Sequence, residues 1–280
     1  MSHPFEYFRP ATRRKALQLL ARKDMAALPL VIQPKPIDPH RQGAQAFVDL
    51  SLLGFDQVST DPLGTLHLGS LLSLQQLIDD PQLQKCPHQL LGQAASLVAT
   101  PGIRNLSTLW GAAVANSGPA EIILALLALE AQVVILGRAE SRHVLSFQDF
   151  HAGLPGSLPR GDLLSELILP PQGEYTCSLE RIARTPRDEA IVAAAALLWV
   201  EAGTVTRACL AVAGAHPRPR RLPGVEKLLL GQMLTPELMG QAAGMTMDSA
   251  DPVPDFRGSA EYRTEMALVL TRRALGNLTK

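Results

Sequence analysis

The chain has 280 residues, 46% of them apolar, with 26 basic and 26 acidic side chains and no formal net charge. That length supports one large domain or two to three smaller ones, and the charge balance excludes the global basic field that would make nucleic acid or an anionic membrane the default partner. A chain without net charge is poorly protected against association, which favours life in a complex.

The first residues, MSHPFEYFRPATRRKAL, hold no apolar core of the kind a signal peptide needs, and no apolar run reaches the length of a membrane span. Cys86, Cys177 and Cys209 are far apart and form no CxxC pair. They read as small buried apolar residues, and a reduced cytoplasmic location is expected.

In chain order, ATRRKALQLLARK reads as a short amphipathic helix capped by Thr12. ALPLVIQ is expected as a strand. PKPIDPHRQGAQ follows as a loop, since Pro34, Pro36 and Pro39 exclude regular structure. AFVDL is a strand, and QVSTDPLGTLHLGS reads as strand, Asp-Pro-Leu-Gly turn, strand. SLLSLQQLIDD and CPHQLLGQAASLVA are predicted helices. A further helix starts at Pro119, and AQVVILG is the next strand. HVLSFQDF is a strand running into a turn of helix, and LLSELILP an edge strand stopped by Pro170 and Pro171.

Composition shifts at PPQGEY. Beyond it YTCSLERIART is strand-like. DEAIVAAAALLWVEAG reads as a strongly apolar helix with Asp188 near its start, and TVTRACLAVAGAH as a buried strand. HPRPRRLP is expected as an exposed basic loop. GVEKLLLGQ and TPELMGQAAGMTM are helices, DPVPDFRGS a loop, and SAEYRTEMALVLTRRALGNLT a closing helix capped by Ser259. The fold class is α/β plus α+β. The seven histidines show no i, i+4 pair and no HExxH pattern, and no GxSxG or GxGxxG motif is present, so neither a metal site nor a catalytic residue is expected.

The segments FEYFRPATRRKALQLL, FVDLS, LHLGSLLSLQQL, IRNLSTLWGAAVANSGPAEIILALLALEAQVVILG, GVEKLLLGQ and SAEYRTEMALVLTRRAL are weak singly. In this order they resemble the FAD-binding medium subunit family of the molybdenum hydroxylases, the group containing carbon monoxide dehydrogenase and xanthine dehydrogenase. The resemblance covers nearly the whole chain. It implies a flavin-type domain of two α/β subdomains, 1–56 and 57–171, followed by a C-terminal α+β domain, 172–280, with a small antiparallel sheet packed on helices. It also implies hetero-oligomeric partners: a small iron–sulfur subunit with [2Fe-2S] clusters and a large molybdopterin subunit that carries the molybdenum cofactor and binds the substrate. Electrons would pass from molybdenum through the clusters to FAD on this subunit, and on to an external acceptor.

The family-equivalent FAD region comprises Lys35, Arg104, Asn105, Thr108, Trp110, Gly111, Ala112, Glu121 and Arg181. The family's first phosphate loop is a glycine-rich Ala-Gly-Gly-Thr-Asp-type turn, in which bare backbone N–H groups approach phosphate. Here LVIQPKPIDPHRQ holds no glycine, and Pro34 and Pro36 each lack an N–H. The second loop in the family reads Thr-Ile-Gly-Gly-Asn; here it is Thr108-Leu109-Trp110-Gly111-Ala112. Trp110 is expected to fill space that the family gives to cofactor. These departures argue against ordinary FAD binding and for a structural or docking subunit. The alternative is a working electron-transfer flavoprotein, in which Lys35, Arg41 and Arg104 replace amide contacts by charge and Trp110 stacks on a ring. A third reading is an assembly factor that borrows the fold. Outside cofactor binding, Glu121 would serve as favourable charge in a first helical turn. Arg181 would be a surface strand cation, and Arg184 and Asp188 an ion pair or a helix cap.

Overall fold

A computed structural model of the protein describes residues 5–32, 43–85, 88–114 and 119–279. The chain forms two compact units: Met1–Gln76 with Pro101–Gly118 and Ala131–Pro171, and Leu77–Thr100 with Pro119–Glu130 and Gln172–Lys280.

In the first unit, three short strands, β1 (Glu6–Phe8), β2 (Ala27–Pro29) and β3 (Ala46–Val48), form a parallel sheet in the order β1-β3-β2. Helix α1 (Arg13–Leu20) covers it with Ala16, Leu17, Leu19 and Leu20. Thr12 has an extended backbone and its hydroxyl accepts from the Lys15 N–H at 3.3 Å, as an N-cap does. The expected strand ALPLVIQ pairs only at its start, so β2 is shorter than its apolar run.

Strands β4 (Val58–Thr60) and β5 (Leu66–Gly69) flank the predicted turn, where Asp61 Oδ1 accepts from the Leu63 and Thr65 N–H groups at 2.8 and 2.9 Å. They join β6 (Gln132–Leu136), β7 (Arg142–Ser146) and β8 (Leu163–Leu169) in an antiparallel sheet ordered β4-β5-β8-β6-β7. Strand β8 was expected at an edge but is the middle strand, paired with β5 and β6 and buried over six of its seven residues. Pro170 and Pro171 stop it beyond its end, where no ladder bond is lost. Gly69 lies so close to the Phe55 carbonyl that a Cβ would stand 2.3 Å from its oxygen. This junction therefore accepts no side chain.

The second unit is built on an antiparallel sheet ordered β12-β11-β10-β9: β9 (Thr176–Ile182), β10 (Val192–Glu201), β11 (Thr204–Ala213) and β12 (Arg220–Arg221). The run DEAIVAAAALLWVEAG, expected as a helix, supplies β10. Its first eight strand residues are buried, because both faces of the strand are covered. Ala194, Ala196 and Leu198 share one face with Leu210 and Val212 and pack against helices α8 (Pro223–Leu229), α9 (Pro236–Asp248) and α10 (Ala260–Asn277). Helices α3 (Gln89–Ser96) and α6 (Ala120–Ala128) cover the opposite face. Strands buried on both sides lose the polar–apolar alternation that would mark them, so the run read as helix.

The closing helix α10 has the expected cap: Ser259 Oγ accepts from the Tyr262 N–H at 3.2 Å. Arg263 on that helix donates to the Ile191 carbonyl at 2.6 Å and to Asp255 at 2.6 Å, which ties loop 251–258 to the start of β10.

Candidate functional site

In the first unit the second candidate loop spans two short helices, α4 (Pro101–Leu106) and α5 (Leu109–Val114). Arg104 lies on α4 and donates from Nε to Gln75 Oε1 at 3.1 Å; Asn105, beside it, is exposed. Between the helices the chain is strapped down. The Thr108 N–H donates to the Ile32 carbonyl at 2.9 Å, the Leu109 N–H to Leu72 at 2.8 Å and the Trp110 N–H to Ser70 at 2.7 Å. The Gly111 N–H donates to Thr108 Oγ1 at 3.1 Å and the Ala112 N–H to the Thr108 carbonyl at 3.0 Å. Five consecutive amides therefore end on acceptors of the protein itself. Ser70, which holds the Trp110 amide, is itself buried and fixed by a 2.6 Å bond from its hydroxyl to the Leu164 carbonyl on β8.

The Trp110 side chain is 1% exposed and among the largest fully buried groups in the protein. Gly111 and Ala112 are buried beside it. The structure thus brings Arg104, Asn105, Thr108, Trp110, Gly111 and Ala112 into one segment. Lys35 lies outside the described residues, as do Pro34, Pro36, Arg41 and Cys86.

Glu121 and Arg181 meet in the second unit. Glu121 stands in the first turn of α6 and is 2% exposed. Arg181, on β9, has a side chain only 10% exposed, which corrects the expectation of a surface cation. Its Nη1 lies 2.9 Å from Glu121 Oε1 and donates to the Leu97 carbonyl at 2.8 Å, while Nη2 donates to the Asp188 carbonyl. Burial pushes the Glu121 carboxyl up, against the neighbouring guanidinium, which favours its charged form. Asp188 caps no helix, since the segment after it is the strand β10; its N–H closes a turn on the Thr185 carbonyl.

The basic cluster is not wholly solvated either. Arg221 bonds Glu226 through Nε at 2.8 Å and Nη2 at 2.9 Å, and Glu130 through Nη1 at 2.7 Å; Arg207 closes the group on the other oxygen of Glu130. Glu226 also accepts from the Leu210 N–H at 2.9 Å. The pairing of β11, which carries Arg207, with β12, which carries Arg221, is what gathers these groups, and the order of basic and acidic residues along the chain does not reveal it. Cys209 lies in the same place, and burial pushes its thiol up to about 12, which makes it inert at neutral pH. Cys177 is half-buried on β9. Among the described residues no group of three or more His, Cys, Asp or Glu side chains could hold a metal ion, and no helix is long and apolar enough to cross a membrane.

A family model described as the FAD binding domain in molybdopterin dehydrogenase matches residues 3–172, and one described as the CO dehydrogenase flavoprotein C-terminal domain matches residues 178–278. The chain belongs to the medium-subunit family of the molybdenum hydroxylases. Within that family it is 29% identical over 278 residues to the carbon monoxide dehydrogenase medium chain of Afipia carboxidovorans, covering 97% of this chain and 95% of that one. The corresponding medium chain of Hydrogenophaga pseudoflava is 30% identical over 214 residues, 75% of this chain and 74% of the other. A solved carbon monoxide dehydrogenase from Hydrogenophaga pseudoflava superposes with a TM-score of 0.86 at 26% identity, over 100% of this chain and 99% of that one. The fold expected from the resemblance, a flavin-type domain followed by a sheet-on-helix domain, is the family's fold.

Proposed function

We propose that this medium subunit works without ordinary FAD binding, as a structural or docking subunit that joins an iron–sulfur small subunit and a molybdopterin large subunit. One observation carries the reading: the five amides of 108–112 are already spent on internal acceptors. A phosphate held at such a loop needs free N–H groups pointing at it, and each amide would first have to give up a bond made inside the protein. The buried indole of Trp110 supports the same reading, because a side chain 1% exposed offers no ring face for a flavin or adenine to stack on.

On this reading the residues of the 108–112 loop do not fit the cofactor, and no electron step passes through this chain. Substrate chemistry, on this proposal, belongs to the large subunit. This chain's part is to present a rigid frame: the strapped loop in the first unit and the Glu121–Arg181 pair in the second hold their segments by internal bonds, without a ligand.

The test is the visible spectrum of the full chain, purified alone and together with co-expressed hydroxylase subunits, followed by acid release and quantitation of flavin. The proposal expects no flavin on the chain, and iron–sulfur absorption in the assembled complex. Stoichiometric flavin, with bands at roughly 370 and 450 nm from the isoalloxazine itself, would overturn it in favour of an electron-transfer flavoprotein.

A further inference from the structure

Away from the cofactor-type loop, the first unit carries a second concavity of about 480 Å³, walled by α1, by the tip of the β6–β7 hairpin and by residues 160–162. That volume lies within the range of small-molecule sites. Its polar lining is dominated by arginine: Arg14 from α1, Arg138 from the hairpin and Arg160 from the loop before β8. Arg160 is held in place by a 3.0 Å bond from Nη2 to the Met25 carbonyl. The side chains of Arg14 and Arg138 have no ion pair or hydrogen bond among the described residues. Two carboxylates, Glu140 from the hairpin and Asp162 from the loop before β8, also line the cleft, as does the apolar Leu17 of α1.

The hairpin tip is held in an uncommon conformation. In the connection between Leu136 and Arg142, Ala139 and Glu140 both have positive φ, 58° and 60°, a region that residues other than glycine seldom enter. Non-glycine residues pay for this conformation, and here it is the turn that sets Arg138 and Glu140 against α1.

We infer that this cleft binds a phosphorylated, hydroxyl-bearing small molecule, with Arg14 and Arg138 on the phosphate and Glu140 and Asp162 accepting from its hydroxyl groups. Guanidinium forks match phosphate oxygens two at a time, and a carboxylate is an acceptor of hydroxyl protons but repels a bare anion. The combination therefore selects a phosphate ester of a polyol over inorganic phosphate. This inference does not depend on the state of the 108–112 loop.

The probe is ribose 5-phosphate titrated into the full chain by calorimetry at low salt, with inorganic phosphate and ribose as the two halves of the ligand. Saturable binding of ribose 5-phosphate is expected, tighter than either half and weakened at least about tenfold by Arg14→Gln or Arg138→Gln, each of which loses a charge-assisted contact. Both arginines are exposed, so these variants keep the fold, which circular dichroism checks. Glu140→Gln should narrow the preference for ribose 5-phosphate over inorganic phosphate. Arg104→Gln, in the cofactor-type loop, should leave the affinity unchanged. No saturable binding, or binding that survives both arginine substitutions, overturns the inference. So does equal affinity for inorganic phosphate, which would mark an adventitious ion only, and so does loss on Arg104→Gln, which would place the ligand in the cofactor-type loop.

Discussion

Replacing Trp110 by glycine introduces the residue that the resemblance implies at this point of the loop, and burial sets its cost. The indole is 1% exposed. A tryptophan buries on the order of 200 Å² and apolar area is worth about 25 cal/mol per Å², which gives about 5 kcal/mol. Large-to-small substitutions of this kind cost about 3–5 kcal/mol when the surroundings relax only in part. Trp110 also lies in the first turn of α5, where glycine adds up to about 1 kcal/mol over alanine. We therefore expect Trp110→Gly to lower stability by about 4–6 kcal/mol, and Trp110→Ala by about 1 kcal/mol less. Urea unfolding followed by far-ultraviolet circular dichroism reads both values. Neither variant should bind FAD when it is added at micromolar concentration, because the amides of 108–112 keep their internal acceptors. A cost below about 1 kcal/mol would show that the indole is not filling the space assigned to it. Stoichiometric flavin on Trp110→Gly would refute the account of the amides.

Arg181→Met leaves the Glu121 carboxylate buried without its cation and should cost about 3–5 kcal/mol at pH 7.5. Burial already raises the Glu121 carboxyl, so protonation at lower pH relieves the unpaired charge; the cost should shrink in melts at pH 5, and an equal cost at both values would contradict the pairing. Glu140→Gly should raise stability by about 1 kcal/mol, since glycine alone adopts positive φ without strain, and a destabilised variant in thermal melts would argue against the turn as described. Asp255→Asn should cost about 1–3 kcal/mol at neutral pH, because it removes the charged acceptor of Arg257 and Arg263. Although burial pulls the other way, those bonds hold the Asp255 carboxyl below the usual carboxylate range. Its contribution is therefore present above the ordinary carboxylate pKa and fades as pH falls below it, so the difference between the two proteins should vanish in strongly acidic melts.

The order of elements could be read from residue pattern because most of them announce themselves locally. Thr12 and Ser259 are caps, and Asp61-Pro62-Leu63-Gly64 is a turn whatever surrounds it. The errors fall where a neighbour decides. Strand β10 is apolar on both faces because helices lie on both sides of it, a tertiary fact with no local mark. Arg181 looks like an ordinary cation in a polar strand; it is buried because α6 brings Glu121 to it from 60 residues earlier in the sequence. At the candidate loop Trp110 stands out in the sequence, where the resemblance implies glycine, but three of the five amides find their acceptors at Ile32, Leu72 and Ser70, which no local pattern ties to it.

The alanines of β10 set a tolerance elsewhere in the second unit. Ala193 is the cross-strand partner of Arg181, and Ala195 follows it on the face toward α6, opposite Ala211. Their methyl groups act as a shim of fixed thickness beneath the helix that carries Glu121. A valine in either place would lift α6 and let water reach the ion pair. Drift in side-chain volume on this strand is thus felt first as a change in electrostatics, at an ion pair whose arginine lies directly across the ladder from Ala193.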